Sequence, residues 1–356
     1  MKKAPAALYP ILYPLSLVMR TVVGVRQGLY STGILQQYCL PRPVISIGNL
    51  TVGGEGKTPL VILVASMLRE QGSTVALLSR GYGRIHPKRT RILAPGNEVP
   101  SAWRVLGDEP ALIRRAVPEI WTGISELRYE AACGILERAP GAVFVLDDGF
   151  QHRNLHRDLD IVVIDCSRPF QSNRLIPLGT LREPIGSLRR AHAVVLNIGP
   201  GSSNAGAIER LVRKVRPAVR IFHCRQEFDT VVRLQDWQRG GRKPHEAPPG
   251  KSAFVVAAIG NPDRFRNDAE SFGIEVKGSR FFRDHLQLSA REWHSCAEEA
   301  RACGAESILT TEKDVIKLVH PPNYPVHVAL QRTRISEDQE FRSLMIKAIG
   351  TPIEHH

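Results

Sequence analysis

The sequence predicts an α/β fold: a mostly parallel sheet flanked by helices, followed by a second, smaller α/β domain. Three observations carry this. Apolar strand patterns alternate with helical patterns along the chain, as parallel strands joined by helical crossovers require. A glycine-rich turn, Gly48-Asn49-Leu50-Thr51-Val52-Gly53-Gly54-Glu55-Gly56-Lys57-Thr58, links the run Val44-Ile45-Ser46-Ile47 to a helical pattern from Pro59 to Leu68. The 356 residues, 43% of them apolar, suffice for two cores. Composition shifts and turn-rich stretches between about 200 and 252 place the boundary near 220, giving domains 1–220 and 221–356.

The chain opens with an apolar run from Ala4 to Met19, preceded by Lys2 and Lys3 and followed by Arg20 and Arg26. It is too short, and too interrupted by Pro10 and Pro14, to span a bilayer comfortably. No small-x-small cleavage site follows, which argues against a secretory signal. Two expectations stay open: a helix lying in the membrane interface, with Tyr9, Tyr13 and the flanking cations as anchors, or a helix packed on the domain.

Next come a strand at 43–47, the glycine-rich turn and a helix at 57–71. Such a turn aims backbone N–H groups and the positive end of the helix dipole at one spot, where phosphate binds. Lys57 then reaches the outer phosphates and the Thr58 hydroxyl can ligand Mg²⁺. The first domain therefore reads as a P-loop NTPase-like nucleotide-binding unit, with residues 51–58 as the cradle: Thr51, Val52, Gly53, Gly54, Glu55, Gly56, Lys57 and Thr58. Thr51 stands where the usual loop carries glycine.

A strand at 74–79 runs into Ser79-Arg80-Gly81-Tyr82-Gly83-Arg84. A short helix starts at Gly107-Asp108-Glu109-Pro110; a strand near 119–122 and a helix at 125–138 follow. The buried-strand pattern Ala142-Val143-Phe144-Val145-Leu146 ends in Asp147-Asp148, carboxylates placed to hold Mg²⁺ beside a phosphate loop. Extended chain alternates side-chain direction, so the two are expected to do different jobs. Further strands lie at 159–165 and 193–198. The second domain shows strand 253–259, helix 262–272, helix 289–303 and strand 306–310.

Asp108-Glu109 fits either a base for an attacking hydroxyl or a helix-start cap. His152 and His156 have helical metal-ligand spacing but no third ligand. Arg168, Arg174, Arg182, Arg189 and Arg190 surround Leu181-Arg182-Glu183-Pro184, a phosphate grip or a solvated loop. Phe281-Phe282-Arg283-Asp284-His285 pairs a His with an Asp. Thr310-Thr311-Glu312-Lys313-Asp314 is one residue out of step with the guanine-reading motif of GTPases. The net charge of +13 fits either a solvated basic surface or an acidic partner: nucleic acid, anionic lipid or a phosphorylated substrate. Aromatics make up only 6% and the basic residues are dispersed, which disfavours nucleic acid. The six cysteines form no Cys-x-x-Cys pair, so neither zinc nor a disulfide framework is expected, and free thiols fit a cytoplasmic setting.

Taken in order, these runs resemble one family, the lipid A 4′-kinases (tetraacyldisaccharide 4′-kinases). The matching pieces are Gly48 through Pro59, Ser79-Arg80-Gly81-Tyr82-Gly83, Gly107-Asp108-Glu109-Pro110, and Asp147-Asp148-Gly149-Phe150-Gln151-His152. Arg157-Asp158-Leu159-Asp160, Leu181-Arg182-Glu183-Pro184, Gly260-Asn261-Pro262, Asp284-His285 and Thr311-Glu312-Lys313-Asp314 complete the set, over about residues 43–318. The resemblance implies an ATP- and Mg²⁺-dependent lipid kinase bound peripherally at the cytoplasmic face of the inner membrane. Its acceptor would be the 4′-hydroxyl of an acylated glucosamine disaccharide 1-phosphate, and an anionic membrane surface its second partner. It further implies that Lys57 and Thr58 hold phosphates and Mg²⁺, that Asp147 and Asp148 belong to the metal and phosphate site, and that Asp108 pairs with His285 to take the hydroxyl proton. Arg80, Tyr82, Glu109, Arg128, Gln151, His152, Arg182 and Glu183 would position the reactants. Three departures stand out. Glu55 replaces a small hydroxyl residue, Leu178-Gly179-Thr180 replaces Ala-Gly-Pro, and Leu286 follows His285 where a second His is common. The competing reading is a membrane-associated P-loop ATPase switch that binds a partner protein.

Overall fold

The computed structural model describes residues 8–54, 56–97, 99, 101–167, 170, 174–199, 204–241 and 251–350. Glu55 and Arg168, both singled out above, lie outside them. In chain order the elements are α1 (Tyr9–Ser31), β1 (Val44–Asn49), α2 (Lys57–Glu70), β2 (Val75–Ser79), β3 (Arg91–Leu93), α3 (Ala102–Leu106), α4 (Asp108–Ala116) and β4 (Trp121–Ile124). Then follow α5 (Arg128–Leu136), β5 (Val143–Asp147), β6 (Leu159–Asp165), β7 (Ala193–Asn197), α6 (Ala205–Val215) and β8 (Arg220–Arg233). The chain ends with α7 (Leu234–Gln238), β9 (Ser252–Ala257), α8 (Pro262–Ser271), β10 (Glu275–Phe281), α9 (Ala290–Ala302), β11 (Ser307–Thr311), α10 (Glu312–Val315), β12 (Val326–Ile335) and α11 (Asp338–Gly350).

Among the described residues twelve strands form one sheet, ordered β10-β9-β11-β12-β8-β7-β6-β1-β5-β2-β4-β3. All neighbours are parallel except β3 with β4 and β8 with β12. The central strands β1, β2, β5, β6 and β7 are buried throughout, which is why they read as unbroken apolar runs rather than alternating ones. One face carries α2, α4 and α11: Leu60, Val61, Val64, Ile113, Phe341 and Met345 pack on Ile45, Ile47, Val145 and Val163. Each such side chain, fully withdrawn from water, contributes about 1.5–3 kcal/mol. The other face is covered by α5 over Ala76, Leu78 and Phe144, and by α6 over Val162, Val194 and Leu196. Beyond β8, α9 and α8 cover opposite faces of the β9–β11 region.

The strand β8 pairs with β7 over Arg220 to Cys224 and with β12 from Cys224 to Arg233. The sheet is thus continuous through the position where composition shifts. Parallel strands put their carboxyl ends on one edge, so Asn49, Ser79, Asp147, Asp165 and Asn197 all end beside the glycine-rich turn.

The first helix, α1, contains Pro14 and packs by one edge only. Ser16 Oγ donates to Leu175 O (2.9 Å), and Gln27 Nε2 donates to Glu183 Oε2 (2.8 Å) and Ser187 Oγ (2.8 Å). Ile11, Leu15, Val18, Val22 and Val25, spaced alternately four and three residues apart, form one exposed apolar stripe; Ile11 is 61% and Val18 60% accessible. Among the described residues no helix is long and apolar enough to cross a membrane.

Candidate active site

The glycine-rich turn is held from outside. Val52 N donates to Thr180 O (2.7 Å), Arg182 N donates to Leu50 O (2.7 Å), and Thr51 bridges Leu181. Val52 therefore commits its N–H to this clamp. Gly56, the residue before α2, has φ +88, and a Cβ there would run into Gln226 and lie 2.6 Å from Asn197 Nδ2. Only glycine suits both demands. Lys57 opens α2 with its side chain buried. Its Nζ lies 3.1 Å from Asn49 Oδ1 and 3.4 Å from Asp148 Oδ1, so it is steered across the turn rather than into solvent.

The two aspartates at the end of β5 diverge as alternation requires. Asp147 accepts from Ser79 Oγ (3.0 Å), while its Oδ1 is buried with no hydrogen-bond partner among the described residues. Burial, with Glu109 and Asp148 nearby, pushes its carboxyl up to about 7 against the pull of Lys57 and Ser79. Asp148 adopts φ +50 and meets Arg182 NH1 at 2.7 Å as well as Lys57. Burial opposes its charge, but the two cations prevail and hold it at about 2. Gln151 completes this corner by donating to Asn49 O (2.9 Å).

Asp108 and His285, 177 residues apart, meet at 2.9 Å between Oδ2 and Nδ1. Gly107 makes the turn that starts α4 at Asp108. Its φ is +95, and a Cβ would lie 2.6 Å from Tyr82 O. His285 itself has φ +65. Burial penalises the Asp108 charge, but His285, Lys313 and Lys317 outweigh it and bring the carboxyl to about 2. Lys313 Nζ lies 3.3 Å from Asp284 Oδ1, 3.3 Å from His285 Nε2 and 3.7 Å from Glu109 Oε1. Lys317 Nζ lies 3.8 Å from Asp108 Oδ2.

The remaining predicted residues divide. Arg128 is buried and meets His152 Nδ1 at 3.2 Å. Burial and Arg80 lower its guanidinium to about 10, and burial with Arg128 holds His152 at about 3. Asp147 and Asp148 lie close enough to Arg128 to act on its charge. Arg80 and Tyr82 are open to solvent, at 63% and 74%; Arg80 meets Glu126 at 3.6 Å, and the Tyr82 ring lies edge-on to His285 at 5.9 Å. Glu183 accepts from Gln27 Nε2 of α1 (2.8 Å) and from Arg190 NH2 (2.8 Å). Sequence reasoning gave no role to Asn49, Ser79, Asn197, Gln226, Lys313 or Lys317. For Lys313 a signal existed, its place in Thr311-Glu312-Lys313-Asp314; Lys317, four residues on, follows the same motif.

A cavity of about 450 Å³ joins the two halves of this arrangement, with Gly56, Lys57 and Thr58 on one wall, Glu109 and Lys313 on another, and Asn197 between. A cleft lined by the start of α2 on one side and by Glu109 and Lys313, next to the Asp108–His285 contact, on the other suits phosphoryl transfer to a hydroxyl. The sequence model for LpxK, tetraacyldisaccharide-1-P 4′-kinase, matches residues 8–350. The chain belongs to this family. Its relatives include the tetraacyldisaccharide 4′-kinases of Geobacter metallireducens, 37% identical over 86% of this chain and 88% of that one, and of Chlorobium limicola, 34% identical over 96% and 98%. The crystal structure of LpxK from Aquifex aeolicus in complex with ATP superposes with a TM-score of 0.74 at 31% identity, covering 96% of this chain and 99% of that one. As a tetraacyldisaccharide 4′-kinase, the chain is a phosphotransferase of lipid A biosynthesis, bearing out the family, fold class and activity implied by the motifs.

Proposed function

We propose that this kinase moves the γ-phosphoryl group of ATP to the 4′-hydroxyl of an acylated disaccharide 1-phosphate, with Asp108 taking the hydroxyl proton. The observation that carries this is the 2.9 Å contact between Asp108 and His285, whose neighbours Glu109 and Lys313 line the same cavity as Lys57. In the transfer the acceptor O–H bond breaks as an Asp108 O–H bond forms. The acceptor oxygen bonds to phosphorus, and the bond from phosphorus to the bridging oxygen of ADP breaks. Lys57 and the N–H groups at the start of α2 hold the triphosphate, and Arg182, through Asp148, keeps Lys57 aimed at it. The ATP bound by the Aquifex aeolicus relative supports this reading.

Thr58, Asp147 and Asp148 offer hard oxygen donors, and the unpartnered Oδ1 of Asp147 fits a divalent cation. These residues would hold Mg²⁺, which supplies charge neutralisation of the phosphoryl oxygens when bound.

The reading includes a two-part chain divided near 220. Asp108 and Lys57 lie on one side of that division and His285 and Lys313 on the other, so the site draws on both parts. It also seats α1 on the anionic cytoplasmic face of the inner membrane. The exposed stripe from Ile11 to Val25 and the net charge of +13 support that placement. The deciding experiment incubates labelled ATP with the acylated disaccharide 1-phosphate. Label on the lipid is the expected result; phosphate release alone, indifferent to lipid, refutes the kinase and leaves the partner-binding ATPase switch.

A further inference from the structure

Lys313 belongs to a motif that the activity leaves without a role, yet its ammonium touches three groups around the proposed base. We infer that Lys313 is a positioning residue that fixes His285 in one tautomer, protonated at Nδ1 and bare at Nε2, and so makes Asp108 rather than the imidazole the proton acceptor. The inference rests on the reading of Asp108 and His285 given above.

Two contacts, one at each ring nitrogen, decide the tautomer. Nδ1 lies 2.9 Å from Asp108 Oδ2, which, while ionised, can accept hydrogen bonds but not donate them. Nε2 lies 3.3 Å from Lys313 Nζ, which only donates while charged. A proton on Nε2 alone would set N–H against ammonium and a lone pair against carboxylate, failing at both ends. A proton on both nitrogens would place two cations 3.3 Å apart. A neutral lysine would relieve the conflict, but Glu109, Asp284 and Asp108 overcome the effect of burial and raise its pKa, so the ammonium persists. The neutral ring with Nδ1–H satisfies both neighbours.

The groups facing His285 from every packed element agree. From α4 come Asp108 and Glu109, from its own segment Asp284 (3.9 Å), from α10 Lys313, from the residues just after it Lys317, and from the turn after β2 Tyr82. Lys313 sits at Nε2, the ring nitrogen that Asp108 does not meet. With Nδ1 protonated and Nε2 covered by an ammonium, the ring has no lone pair to offer an acceptor hydroxyl. Asp108 therefore receives the proton, and the ring keeps its own while donating to Oδ2.

The test uses the full chain labelled with ¹⁵N-histidine, with His285 assigned from the spectrum of His285→Gln. Across neutral pH the wild type should show a protonated Nδ1 and a bare Nε2. In Lys313→Met, with no ammonium at Nε2, the preference should be lost and part of the ring should carry its proton on Nε2. Lys313→Arg should keep the wild-type tautomer, because a guanidinium is also a donor only. A protonated Nε2 in the wild type, or an unchanged tautomer in Lys313→Met, overturns the inference. Should Lys313→Met fail to fold, the wild-type tautomer alone decides. Full transfer by both Asp108→Ala and His285→Ala would refute the base assignment instead, whatever the tautomer.

Discussion

Replacing Asp108 by Asn removes a proton acceptor while preserving shape and one acceptor oxygen for His285. Two effects of different origin follow. Loss of a positioned base costs roughly a hundred- to ten-thousand-fold in turnover. Loss of the charge costs stability. The folded protein brings this buried carboxyl from 3.8 to about 2 despite the burial penalty, a net preference for the ionised form worth about 2 kcal/mol. Because the folded value is the depressed one, that contribution is complete above about pH 4 and disappears as pH falls through about 2. Asp108→Asn should therefore unfold at lower urea than the wild type at neutral pH, and the gap should narrow as pH drops from about 4 towards 2. Nucleotide binding should survive, because Asp108 contacts His285, Lys317 and its own helix start rather than Lys57. Labelled-phosphate transfer, urea midpoints over the acid range and ATP titration calorimetry measure the three. Wild-type turnover, or a urea gap that ignores pH, would refute the reasoning.

Lys57→Met should weaken ATP binding roughly ten- to a hundred-fold in calorimetry, the worth of one charge-assisted contact of about 1.5–3 kcal/mol; unchanged affinity would remove Lys57 from the phosphate site. Gly107→Ala forces a side chain into a φ of +95 and against the Tyr82 carbonyl, so melting should drop by the equivalent of about 1–3 kcal/mol and turnover should fall with it. The control Gly206→Ala, in α6 with its Cβ 3.7 Å from the tip of Arg210, should do neither. Ile11→Asp with Val18→Asp, both outward on α1, should leave the melting curve in place but abolish flotation with anionic vesicles; retained flotation would sink the membrane assignment.

What could be read from the sequence was whatever is local. The strands at 159–165 and 193–198 and the helix at 57–71 fall within a residue of β6, β7 and α2 because each is a buried apolar run or follows an unambiguous turn. The ribbon of β8 and β12 escaped notice. Arg225, Glu227 and Asp229 interrupt any apolar run in β8, whose partner lies about a hundred residues away. The helices α6 and α11 went unread for a related reason: α6 follows a loop-like stretch and α11 sits near the chain end, where no motif drew attention. In the site, Lys57, Asp147, Asp148, Asp108 and His285 announce themselves as short motifs. The roles of Asn49, Asn197 and Lys313 do not, since each depends on a neighbour supplied by a distant strand or helix. Glu183 shows the converse: a residue inside a recognised motif whose contacts serve the attachment of α1.

That attachment has a further meaning. The stretch from Leu175 to Ser187 grips α1 through Ser16 and Gln27, and the same stretch, at Thr180 and Leu181, grips the phosphate loop. The outer stripe of the helix and the point of phosphoryl transfer are thus mounted on one bracket, at a fixed separation. If α1 lies on a bilayer, as proposed, the enzyme would become a gauge of height: sugars presented at the level of that bracket would be phosphorylated, and those standing taller or shorter above the acyl chains passed over.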